Sequence, residues 1–179
     1  MEYKVKFFSS KYSSPNWARY QHTSIVIAEG LKALKIPFCG NVDYWFDNNS
    51  NSYLIQKDSK KFEANIHIYS SHYLLDNPEA LKSCDWSKIN VLLDNEDGFD
   101  SPCMDPKYKK FDLILRCHYN KKFESFTEKM EWAKERNASY LPQTKPWNFG
   151  LSNRIIEYVD KYRNVKIDNK VLCNFRMSH

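Results

Sequence analysis

Short apolar runs of strand length recur along this chain and alternate with segments of helical period, and that alternation limits the fold to a narrow class. Tyr3 to Phe8, Ala64 to Ser70, Lys88 to Leu93 and Phe111 to Cys117 each concentrate β-branched or aromatic residues over the length of a strand. Shorter strands are predicted at Ile36 to Gly40, Tyr53 to Ile55, Ser139 to Leu141 and Lys170 to Phe175. Between them, Ser24 to Lys35 sets Ile27, Leu31 and Leu34 on one helical face. Asn77 followed by Pro78 predicts a capped helix start, ending near Cys84. Ser125 and Glu128 form a capping box, with Phe126, Met130 and Ala133 continuing a helix to about Arg136, and Leu151 to Arg163 aligns Ile155, Val159 and Tyr162. Strands and helices in alternation predict one α/β domain over residues 1–179, a mostly parallel sheet with helices on both faces.

Composition bounds the partners. Hydrophobic residues are 42% and charged residues 27% of the chain, in the range of a globular protein with a real core. The formal charge of +5 is spread along the sequence, with Lys107, Lys109, Lys110, Lys121 and Lys122 the densest group. Nucleic-acid binders carry a denser basic stripe, so nucleic acid is not the expected partner, and peripheral contact with anionic lipid is a minor alternative. Five cysteines, odd in number and without C-x-x-C spacing, read as buried thiols in a reducing, cytoplasmic setting.

The chemistry concentrates at the ends of predicted strands. The run Ile89 to Leu93 breaks into Asp94, Asn95, Glu96, Asp97 and Gly98. In open α/β sheets the loops at the carboxyl ends of strands hold ligands. Asp94 and Glu96 can point the same way from extended backbone and could hold a divalent cation, or an acid here could serve as general base; a solvated turn with Asp94 capping amides is the plain alternative. At the head of the first helix, His22 and Thr23 stand where unpaired N–H groups gather, either as a polar-ligand site or as a simple cap beside a surface histidine. Arg116 ends another strand and either clamps an anion or pairs with the acids of the preceding loop. Cys117 and His118 are sequence neighbours and point oppositely along a strand, which argues against a cysteine nucleophile. Trp147, between Pro146 and Phe149, either stacks on a ring-shaped ligand or completes the core.

In their order, these elements resemble a known family. His22-Thr23 and Ala28-Glu29-Gly30-Leu31, then Leu93-Asp94-Asn95-Glu96-Asp97, Arg116, Leu141-Pro142 and Phe149-Gly150 are similar to the amino-terminal half of GT-B glycosyltransferases, particularly bacterial spore-maturation-type proteins. Asn95 stands where that group has Gly, Leu115 where it has Lys, and the Leu-Pro and Phe-Gly elements are separated. The resemblance implies a single Rossmann-like domain facing a glycan or other hydroxyl acceptor, with sugar transferred from a nucleotide-sugar held mainly by a second glycosyltransferase domain. It implies His22 and Asp97 as catalytic bases, with Thr23, Asp94, Glu96, Arg116 and Trp147 binding substrate, and no metal or other cofactor. A metal-dependent GT-A-like enzyme using Asp94 and Glu96 is the second reading. A non-catalytic binding or assembly module is the third.

Overall fold

The computed structural model describes residues 2–10, 22–47, 50–58, 62–96, 102–119, 139–148, 150–153, 156–157 and 161. Its strands are β1 (Val5–Phe8), β2 (Phe38–Gly40), β3 (Tyr44–Asp47), β4 (Ser52–Ile55), β5 (Ile66–Ser70), β6 (Ile89–Asp94), β7 (Leu113–Arg116) and β8 (Thr144–Pro146). The helices are α1 (His22–Ala33) and α2 (Ser71–Asp76), with 3₁₀ turns at Pro78–Ser83, Pro102–Met104 and Pro106–Tyr108. Six strands make one sheet in the order β2-β1-β5-β6-β7-β8, and every adjacent pair is parallel. The fold is therefore a Rossmann-like α/β arrangement built on this parallel sheet, with β3 and β4 paired separately as an antiparallel hairpin.

Period-2 alternation divides the strands between two cores. Val5 and Phe7 of β1, Ile68 of β5, and Val91 and Leu93 of β6 pack with Ile25 and Ala28 of α1 and with Tyr44 and Ile55 of the β3–β4 hairpin. Tyr69, Leu92 and Ile114 face the other way, against Leu74 of α2 and Cys84, Cys103, Tyr108 and Phe111. Fully burying a side chain such as Phe7 or Leu92 stabilises the fold by about 1.5–3 kcal/mol. Both sheet faces are thus covered, as a parallel sheet requires.

Several local expectations need correction. The core side of α1 is led by Ile25 and Ala28, while Leu34 lies past the helix end and is 71% exposed. A six-residue helix, α2, precedes Asn77, too short for its period to show in sequence. Ser70 caps it, accepting the Tyr73 N–H at 3.1 Å. Asn77 closes this helix, donating from both its backbone N–H and its side-chain Nδ2 to Tyr73 O, and it also holds the expected N-cap position before Pro78, without a side-chain capping bond there. The next segment, Pro78–Ser83, is a 3₁₀ turn. The strand expected at Ser139 to Leu141 forms instead at Thr144–Pro146, and Pro146 is tolerated at the end of β8, the outermost strand among the described residues. The strand expected at Tyr53 to Ile55 forms as β4, while its partner β3, with Tyr44 opposite Ile55, lies in a segment whose polar composition gave no strand. The expected helix at 125–136 and strand at 170–175 lie outside the described residues. Helical backbone at Asn153, Ile156, Glu157 and Lys161 accords with the predicted helix after Leu151.

Candidate functional site

A parallel sheet brings all its carboxyl ends to one edge. Chain direction reverses between β1 and β5: from β1 the chain goes outward to β2, then returns past β1 to β5 and onward through β8. In open α/β sheets, ligands bind outside the carboxyl ends of the strands at such a switch point. The register that pairs Phe8 with Tyr69 sets Ser9, just past β1, beside Ser70 at the end of β5.

Asp94 and Arg116 meet across the ends of β6 and β7, where they are register partners. Arg116 Nη1 donates to Asp94 Oδ1 at 3.0 Å, and the two are 3% and 0% exposed. Asp94 Oδ2 accepts the Cys103 N–H at 3.0 Å, and Oδ1 also takes the Glu96 N–H at 3.3 Å. Both carboxylate oxygens are therefore committed to the protein. The pair is a structural clasp between two strand ends and the turn at Cys103.

Asn95 forms the second layer. Its Nδ2 donates to Thr23 Oγ1 at 2.9 Å, and its Oδ1 accepts from the Cys117 thiol at 3.1 Å. Thr23 and Asn95 are buried, so the head of α1 is tied to the ends of β6 and β7. Burial, reinforced by the nearby Asp94 carboxylate, pushes the Cys117 thiol up to about 11, which keeps it protonated and unsuited to nucleophilic work at neutral pH.

Glu96 is the more exposed of the two described acids that end β6 and its turn, Asp94 and Glu96. Its Oε1 accepts the Ser71 hydroxyl at 2.8 Å and lies 3.2 Å from His72 Nδ1. The Glu96 side chain is 25% exposed and that of His72 15%, so this group, unlike Asp94, is reachable from solvent. On the β1 side, Asn41 fixes Ser9 by accepting its N–H at 2.8 Å and donating to its carbonyl at 3.0 Å. The Ser10 hydroxyl donates to the Asp76 carboxylate. Ser9 Oγ is buried and has no hydrogen-bond partner among the described residues.

The residues expected from sequence are thus distributed over one edge in different roles. Thr23 joins Asn95, Asp94 joins Arg116, and Glu96 joins Ser71 and His72. His22 is half-buried at the head of α1, one residue from the Thr23–Asn95 contact. Trp147 follows β8, its N–H donating to Arg116 O at 2.9 Å, three strand spacings from the switch point. At about 4.8 Å per strand that is roughly 14 Å, so Trp147 flanks the Asp94–Arg116 clasp and stands apart from Ser9. Asp97 lies outside the described residues. Ser71 and His72 were not singled out as site residues, although both directly follow the alternating strand Ala64 to Ser70, at a position where ligands gather. Among the described residues no group of three His, Cys, Asp or Glu side chains is placed to hold a metal ion. No described helix is long and apolar enough to cross a membrane. No protein-family model, curated protein or solved structure matches the chain.

Proposed function

We propose that this chain is the acceptor-side domain of a GT-B-type glycosyltransferase, taking a hydroxyl-bearing acceptor at the switch point between β1 and β5. The observation that carries the reading is Glu96: a partly exposed carboxylate that follows β6, bonded to Ser71 and close to His72 at the carboxyl end of β5, the strand that borders the switch point. In sugar transfer the acceptor oxygen bonds to the anomeric carbon, the bond to the nucleotide diphosphate breaks, and the acceptor proton passes to a base. A carboxylate or imidazole within hydrogen-bond reach of that hydroxyl can take the proton. Glu96 joins His22 and Asp97 as candidates for that role. Asp94 and Arg116 serve as positioning residues, since their charges are spent on each other. The nucleotide-sugar would be held mainly by a second domain.

The metal-dependent alternative requires Asp94 to leave both Arg116 and the Cys103 N–H. Titration of the protein with an acceptor-type oligosaccharide, followed by amide NMR, tests the main reading. Shifts at Thr23–Ser24 together with Asn95–Glu96 support it. Shifts confined to the amino-terminal edge of the sheet contradict it.

A further inference from the structure

We draw no further inference here: the strongest candidate, the partly exposed apolar stripe of Ile66, Ile89, Leu113 and Leu115 on the α1 face of the sheet, is a sheet face for which nothing among the described residues shows what covers it.

Discussion

Arg116 is the residue whose loss should be felt most widely. Its guanidinium neutralises an Asp94 carboxylate that is 0% exposed, and removing one partner of a buried pair strands the other charge. Arg116→Ala is expected to cost about 3–5 kcal/mol, a large share of the stability of an ordinary domain. The double change Asp94→Asn with Arg116→Met should recover much of that loss, which urea unfolding of the two variants measures. Thiol chemistry offers a second residue-scale test. Burial pushes Cys39 and Cys117 each up to about 11, so both are thiols, not thiolates, near pH 8. Both are expected to resist iodoacetamide in the folded protein and to react once it is unfolded, as site-resolved mass spectrometry would show. The type of residue at this edge was legible in the sequence: acids after one strand, an arginine after the next. Their pairing was not. Asp94 and Arg116 are 22 positions apart, and Ser71 and Glu96 are 25 apart; only the register of β5, β6 and β7 brings them together.

Elements were read with unequal success for a physical reason. The buried strands β1, β5, β6 and β7 carry enough period-2 or continuous apolar signal to be placed within a residue or two. A six-residue helix such as α2 has less than two turns and cannot display a face, and β3 is half-buried beside a polar turn. The end of α1 was also blurred, since Lys35 is not a usual stop residue. It adopts φ 56°, the Lys35 N–H donates to Lys32 O at 3.1 Å, and the Ile36 N–H donates to Leu31 O at 2.9 Å. This is the paired bonding of a Schellman closure, with lysine at the left-handed position usually held by glycine. Lys35→Gly is therefore expected to stabilise the domain by about 1 kcal/mol, as a rise in the urea midpoint with unchanged slope. Gly40 is the opposite case. A Cβ there would lie 2.6 Å from Ile55 Cγ2 and 3.0 Å from Val42 O, so the end of β2 passes too close to the hairpin for a side chain. Gly40→Ala is expected to cost about 1–3 kcal/mol, measured the same way.

For the molecule as a whole, the parallel, doubly covered sheet followed from the alternation of elements, while the site depended on where that sheet reverses direction. Strand order cannot be read from a list of strands, and the switch point exists only because β5 sits on the opposite side of β1 from β2. Global stability should also carry the mark of His67, on the α2 side of the sheet, which stacks edge-on against Phe8 with ring centroids 5.3 Å apart. Burial lowers its pKa below the usual 6.5, against the partly compensating charge of Asp85. Between 6.5 and that lower value the unfolded chain binds the proton and the folded chain does not, so stability falls as pH drops through this window. His67→Gln is expected to flatten that part of the pH dependence in urea titrations.

The claim on which the functional account turns is that ligands enter at the carboxyl edge between β1 and β5. Hydrogen exchange of the whole chain, with and without a saturating acceptor-type oligosaccharide, tests it most directly. The account expects added protection in peptides covering residues 66–76 and 89–96, and little change at the amino ends of the strands. Protection that appears elsewhere on the molecule and leaves those two segments unchanged would contradict it.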